Sequence, residues 1–187
     1  METVKQIPYG VADFESVIER DLYYVDKTMY LAELERQPDT LIFIRPRRFG
    51  KSLFISMMRA YYDKSKAKDF DTLFGSLWIG SHPTPLRNHY QVLYLDFSKI
   101  LGNIDVLEEK FDQYLRRQLD DFVRKYADDY PDYFKKDFFE STSGADKLIM
   151  ISIHADRLRN QCISLSTNTT ISPMSCSASM GRLYITI

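Results

Sequence analysis

The residues with the clearest chemical meaning are Gly50-Lys51-Ser52, which end a basic stretch that begins at Arg45. Backbone N–H groups at the start of a helix hold phosphate oxygens, and a neighbouring lysine reaches the β and γ phosphates of a nucleotide while a serine hydroxyl ligates Mg²⁺. Arg45 stands where the pattern G-x-x-x-x-G-K-[ST] has its first glycine. The stretch therefore predicts a nucleotide-binding loop with these members: Arg45, Pro46, Arg47, Arg48, Phe49, Gly50, Lys51, Ser52 and Leu53.

Two predicted elements position this loop. The apolar run 41–44 before it is typical of a strand. After it, apolar residues recur at helical spacing, namely Leu53, Met57, Met58, Tyr61 and Tyr62. This order of strand, loop and helix is the context in which the phosphate-binding pattern is informative.

A second interpretation of the same stretch stays open. The tripeptide is common by chance, and arginine lacks the freedom at positive φ that glycine brings to a tight loop. A basic surface turn or a patch that touches nucleic acid would use the same side chains: Arg45, Arg47, Arg48, Lys51 and Arg59.

The composition indicates a globular chain of one domain or slightly more. It has 187 residues, a hydrophobic share of 44% and a formal charge of -1, so a polyanion could be attracted only by a local basic patch. No apolar run approaches the roughly 20 residues of a membrane span, and the start of the chain lacks the layout of a signal peptide. We expect a cytoplasmic protein without a membrane partner, in which Cys162 and Cys176 stay reduced.

Hydrophobic periodicity predicts an α/β fold with a parallel sheet flanked by helices. A helix is expected over 28–35, with Met29, Leu31 and Leu34 facing inward. The nearly continuous apolar run 91–97 predicts a buried strand. The segments after it are predicted as follows: a long helix over 104–126, an aromatic and acidic connector over 129–144, and a helix over 145–159.

The end of the chain differs in composition from the rest. From residue 160 to residue 187 there is no acidic residue, serine and threonine dominate, and periodicity is poor. This composition predicts a flexible or non-native tail over 160–187, after a domain that covers 1–159.

Three segments together resemble the bacterial AAA-ATPase-like family: Tyr24–Thr28, Arg45–Leu53 and Leu93–Ser98. The likeness extends over residues 5 to about 155. In that family an arginine typically replaces the first glycine of the loop, as Arg45 does here. The resemblance implies a P-loop ATPase fold that binds ATP and Mg²⁺, with Lys51 on the phosphates and Ser52 on the metal. It also implies a nuclease-like domain of the PD-(D/E)XK type in full-length relatives, through which nucleic acid would be a partner; the oligomeric state stays open.

A P-loop ATPase needs an acidic residue at the end of a strand, to anchor Mg²⁺ and to position the attacking water. Asp96 is the candidate, and its alternative role is to cap the turn that follows the strand. The resemblance places the acidic strand later, as an apolar run that ends in Asp-Glu, and the chain has no such run. We therefore expect an incomplete fold, with no intact catalytic set and impaired hydrolysis.

A shift of the reading frame offers one explanation for the missing strand. If the codons from Cys162 onward are read one base earlier, permitted third bases give Tyr-Leu-Phe-Ile-Asp-Glu-Tyr-Asp-Asn-Phe. Recovery of the Asp-Glu pair requires that the codons for Ser166 and Thr167 end in G. The hypothesis is a one-base deletion near residues 150 to 160, which would make the product truncated relative to the family and leave a nonfunctional protein as a third alternative.

The remaining polar residues are assigned structural roles. Asp26 and Lys27 lie where they could reach a nucleotide, but the spacing favours Asp26 or Thr28 as a cap of the next helix. His82, His89 and His154 lack the spacing of metal ligands. We expect them to be ordinary surface or core histidines.

Overall fold

The computed structural model describes residues 4–37, 40–42, 46, 48–100, 104–157, 162–167 and 184–186. These residues belong to two compact units. The first holds residues 1–38 and 44–90, and the second holds residues 39–43 and 91–187.

The described part of the first unit is helical. Its helices are α1 (Phe14–Glu19), α2 (Met29–Leu34), α3 (Lys51–Tyr62), α4 (Phe70–Phe74) and α5 (Trp78–Ser81). Their shared core is rich in aromatic rings: Phe14 stacks on Phe74 with ring centroids 5.0 Å apart, and Tyr61 meets Phe74 edge to face at 5.5 Å. The predicted helix over 28–35 is therefore present as α2 and buries Leu31, but Met29 is 37% exposed and the prediction that it faces inward is wrong.

The second unit contains a parallel sheet. Its strands are β1 (Thr40–Ile42), β2 (Gln91–Asp96), β3 (Cys162–Thr167) and β4 (Tyr184–Thr186), and its longer helices are α6 (Ile104–Lys125), α7 (Asp132–Glu140) and α8 (Gly144–Arg157). The order across the sheet is β1-β4-β3-β2, and every pairing is parallel. Apolar side chains of β2, α6 and α8 form one core. The predicted α/β class and the predicted strand and helix at 91–97 and 104–126 are confirmed.

The predicted connector over 129–144 is wrong for the residues that form α7. Phe134 and Phe138 are four positions apart, so they fall on one face of a helix, where their rings stack at 5.7 Å. Tyr130 extends the stack, with its ring 4.9 Å from that of Phe134. The acidic residues between the aromatic ones lie on the other faces, which is the pattern of an amphipathic helix.

The predicted flexible tail is also wrong for the residues of β3 and β4. β3 pairs with β2 over its whole length, from Gln91 opposite Cys162 to Asp96 opposite Thr167. Leu165 is fully buried and Cys162 is 3% exposed. The pairing explains the error, because strand hydrogen bonds come from a segment about 70 residues earlier and leave no local periodicity. Residues 168–183, including Cys176, lie outside the described residues.

Gln91 organises the polar interior between β2 and β3. Its Oε1 accepts hydrogen bonds from the hydroxyl of Tyr130 at 2.8 Å and from the thiol of Cys162 at 3.4 Å. Its Nε2 donates to Asp129 Oδ2 at 2.8 Å. Since these partners satisfy the buried amide, the cluster is a structural one. His154 packs at a tilt against the rings of Tyr130 and Phe134 in this core, whereas His82 is exposed and stacks on Trp78.

A partly buried carboxyl group in the first unit gives the fold a pH dependence. Glu35 Oε1 accepts hydrogen bonds from Thr84 Oγ1 at 2.7 Å and from the Tyr62 hydroxyl at 3.2 Å. Burial raises the pKa of Glu35 above its ordinary value of 4.5, although these two hydrogen bonds oppose the rise. The folded state therefore favours the protonated carboxyl, and this contribution to stability is lost as the pH rises through the folded pKa.

We expect the substitution Glu35→Gln to be more favourable at high pH than at low pH. The amide keeps an acceptor for Thr84 but carries no charge to bury, so thermal unfolding at about pH 8 should show the variant stabilised relative to wild type, with the difference shrinking toward about pH 4. The gain should stay below about 1 kcal/mol because the carboxyl is partly exposed and screened. Glu33→Gln, at an exposed position of α2, is the control and should show no such trend. If the difference in stability between Glu35→Gln and wild type does not change with pH, burial does not raise the pKa of Glu35.

Candidate functional site

The loop before α3 adopts a backbone conformation that few residues tolerate. Gly50 has φ 74° and Arg48 has φ 67°, so both lie in the left-handed region. A Cβ on Gly50 would meet nothing within 4 Å, so glycine is favoured there by backbone conformation and not by lack of space. For Arg48 the same region costs about 1 kcal/mol or more. Such strain is concentrated at functional sites in proteins.

The N-terminal end of α3 is suited to an anion. Gly50 occupies the cap position and supplies no side-chain cap, and the first turn contains no acidic residue. The first hydrogen bond of the helix joins the Phe54 N–H to the Gly50 carbonyl at 2.9 Å, and the N–H groups before it point out of the helix end. Together with the helix dipole, these groups favour a negatively charged ligand.

Lys51 and Ser52 are the first two residues of α3. The ammonium of Lys51 folds back over the loop and donates to the Pro46 carbonyl at 3.1 Å. The side chain of Ser52 is exposed in the first turn of α3, as are Arg48 and Phe49 in the loop.

The helix that carries the loop is firmly anchored in the first unit. Ser56 Oγ accepts a hydrogen bond from the Phe14 N–H and donates to Asp13 Oδ1, both at 2.9 Å. Met57 and Met58, beside it, are fully buried. Because α3 is tied to α1 and packed into the core, its first turn is presented from a rigid support.

The described side chains of the predicted basic patch lie in two separate places. Arg59 lies eight residues after Lys51, a rise of about 12 Å along the helix. Burial raises the pKa of Asp13, but hydrogen bonds from Ser16 and Ser56 and the charge of Arg59 bring it below its ordinary value. Arg59 therefore acts on Asp13, whereas Arg48 and Lys51 belong to the loop. Arg45 and Arg47 lie outside the described residues.

Asp96 ends β2 in the second unit and caps the turn that follows. Its Oδ1 accepts hydrogen bonds from the Ser98 N–H at 3.2 Å and from the Ser98 hydroxyl at 2.6 Å. Asp96 therefore has the capping role that the sequence analysis gives as the alternative to metal binding. Its partner in register on β3 is Thr167, which has no carboxylate. Within the described ranges, no group of three or more His, Cys, Asp or Glu side chains could hold a metal ion.

The segment Tyr24–Thr28 has a docking function. Asp26 Oδ1 accepts hydrogen bonds from the N–H and the hydroxyl of Thr28, at 2.8 and 2.7 Å. Its Oδ2 accepts from the Trp78 N–H at 2.7 Å, and Thr28 Oγ1 accepts from the Ile79 N–H at 3.2 Å. Thr28 is the N-cap residue of α2 but its side chain makes no capping hydrogen bond within that helix, so the prediction that Asp26 or Thr28 caps α2 holds only for the position of Thr28. The second partner of Asp26, the start of α5, could not be found from the sequence because it lies about 50 residues away.

Comparison with known proteins gives a family but little detail. A family model described as predicted AAA-ATPase matches residues 8–165. An uncharacterized protein in the vnfD 5′ region of Azotobacter chroococcum mcd 1 is 44% identical over 55 residues, which cover 29% of this chain and 11% of that protein. The match thus spans about a tenth of that relative's length. No solved structure matches. None of the described helices is long and apolar enough to cross a membrane.

We expect Asp26→Ala to destabilise the first unit by about 2 kcal/mol, because it removes the hydrogen bonds that hold Thr28 at the start of α2 together with the bond to α5. Chemical denaturation measures the change. Asp71→Ala, at an exposed position in the first turn of α4, removes a similar charge and should cost less than about 0.5 kcal/mol. Equal losses in the two variants would show that Asp26 does not join α2 to α5.

Proposed function

Because the chain belongs to the predicted AAA-ATPase family, we propose that it binds ATP with the loop from Arg45 to Ser52 and the first turn of α3. The observation that carries this proposal is the end of α3, where outward N–H groups, an uncapped Gly50 and the ammonium of Lys51 converge. A nucleotide triphosphate supplies the charge that such an end favours. The family model covers this segment as well.

The residues of the loop have distinct proposed roles. Backbone N–H groups from Gly50 to Leu53 hold phosphate oxygens, and Lys51 pairs with the β and γ phosphates. Ser52 Oγ would hold Mg²⁺, and its exposed position in the first turn fits that role. Bound there, the ion would neutralise phosphate charge. Arg45, Pro46, Arg47, Arg48 and Phe49 complete the loop around the phosphates.

Hydrolysis is proposed to be weak because a carboxylate is missing. β3 ends at Thr167, beside Asp96 in register, which is where the shifted reading frame would restore an aspartate. Binding in the ground state uses the helix end and Lys51, whereas a strand-end carboxylate contributes mainly to positioning water in the transition state. The chain should therefore bind nucleotide without efficient turnover.

We expect Lys51→Ala to weaken ATP binding by at least about tenfold, since it removes a charge-assisted bond to the phosphates. Isothermal titration calorimetry with a non-hydrolysable ATP analogue, with and without Mg²⁺, measures the effect. Lys68→Ala removes the same charge from an exposed position of the same unit and should leave the affinity within about twofold. Equal affinities of wild type and Lys51→Ala would refute the loop as the site. DNA binding that depends strongly on salt would then favour the basic-patch interpretation.

We expect the double substitution Thr167→Asp with Asn168→Glu to raise ATP hydrolysis in the presence of Mg²⁺ by at least about tenfold over wild type. The matched control is Thr167→Asn with Asn168→Gln, which adds side chains of the same size without charge and should give no increase. Phosphate release is the readout, and circular dichroism confirms that each variant folds. Steady turnover by the wild type that Lys51→Ala abolishes would contradict the proposal that the carboxylate is missing.

A further inference from the structure

The second unit contains a cleft that the proposed nucleotide site does not use. It lies between the middle of α6 and the segment that joins α7 to α8, and its volume is about 570 Å³. That volume is within the range of pockets that bind small molecules, about 300 to 1,000 Å³. The polar side chains that line it include Arg116, Arg117, Asp120, Ser141, Thr142 and Lys147.

The cleft is positively charged in a chain that is slightly acidic overall. Arg116, Arg117 and Lys147 face one lining carboxylate, Asp120, so the lining carries a formal charge of +2 (three cations less one anion). The whole chain carries -1. The local excess favours an anionic occupant.

Lys147 is built into the wall of the cleft. Its side chain is 4% exposed, and its ammonium lies 2.6 Å from Asp120 Oδ1 and 4.8 Å from the centre of the Phe138 ring. A buried ammonium is costly unless it is paired, and the carboxylate and the ring hold it in place. The charge of Lys147 is therefore fixed at the cleft instead of moving in solvent.

The two arginines add donors that suit a phosphate group. Arg116 is held by an ion pair between its Nε and Asp112 Oδ2 at 2.9 Å, which involves neither of its terminal nitrogens. Arg117 is exposed and has no hydrogen-bond or ion-pair partner among the residues that the structure describes. Guanidinium groups pair with phosphate through two parallel hydrogen bonds. The hydroxyls of Ser141 and Thr142 supply further donors on the opposite wall.

We propose that this cleft binds the phosphate group of a small phosphorylated molecule, separately from the nucleotide loop. A phosphate monoester carries a charge of about −1.5 to −2 near pH 7, so the cationic side chains of the lining attract it. Phe139 also lines the cleft and is 39% exposed, so a base attached to the phosphate could contact its ring.

The test is NMR titration of the full chain carrying Lys51→Ala, which on the proposed function weakens phosphate binding at the loop. The probes are inorganic phosphate and AMP at constant ionic strength. We expect saturable shifts at the amides of Ser141, Thr142 and Lys147, and Arg117→Gln in this background should weaken them by at least about fivefold. Because Arg117 is exposed and unpaired among the described residues, the variant should fold normally.

Lys110→Gln is the matched control, two turns earlier on α6 and outside the cleft, and should change the affinity less than about twofold. Tighter binding of AMP than of phosphate would support the proposal and add contact of the base with Phe139; equal binding would support a site for the phosphate group alone. Absence of saturable shifts at these amides, or equal weakening by Lys110→Gln and Arg117→Gln, would overturn the proposal. If the wild type binds ATP but phosphate causes no shifts at the cleft, the proposal for the cleft fails and the proposal for the nucleotide loop stands.

Discussion

The proposed nucleotide site depends on how α3 begins. A helix that starts without a side-chain cap leaves backbone donors at its end, and these must find water, a capping group or a ligand. Here the cap position is a left-handed glycine, the residue before the cap is an exposed phenylalanine, and Lys51 lies back on the loop carbonyl at Pro46. The backbone donors and the positive charge of Lys51 both belong to this start of α3, and the proposed phosphate binding rests on them.

The remainder of the first unit keeps this helix end in place. Ser56 links α3 to the start of α1, and the aromatic core packs against the buried face of the same helix. Asp26 accepts hydrogen bonds from Thr28, at the start of α2, and from Trp78, at the start of α5. A loop with two residues in the left-handed region persists only when its surroundings determine it, and these contacts supply that support.

Sequence reasoning succeeded where the signal is local. The helix α3, the long amphipathic α6 and the apolar strand β2 all carry their information within a few neighbouring residues, and their bounds agree with the structure to within a few residues. It failed for β3, whose polar sequence is stabilised by pairing with Gln91–Asp96. It also failed for α7, because the acidic composition concealed the spacing of Phe134 and Phe138. The partner of Asp26 at Trp78 depends on tertiary structure and has no local signal.

Hydrogen exchange measured by mass spectrometry, with and without a non-hydrolysable ATP analogue, tests the central claim most directly. Amides of the first turn of α3 exchange through local opening, which a ligand on their N–H groups suppresses. We predict that the analogue slows hydrogen exchange in the segment from Pro46 to Phe54 and that added DNA leaves the exchange of this segment unchanged. Unchanged exchange in this segment at saturating analogue, or slowing confined to other segments, would contradict the claim.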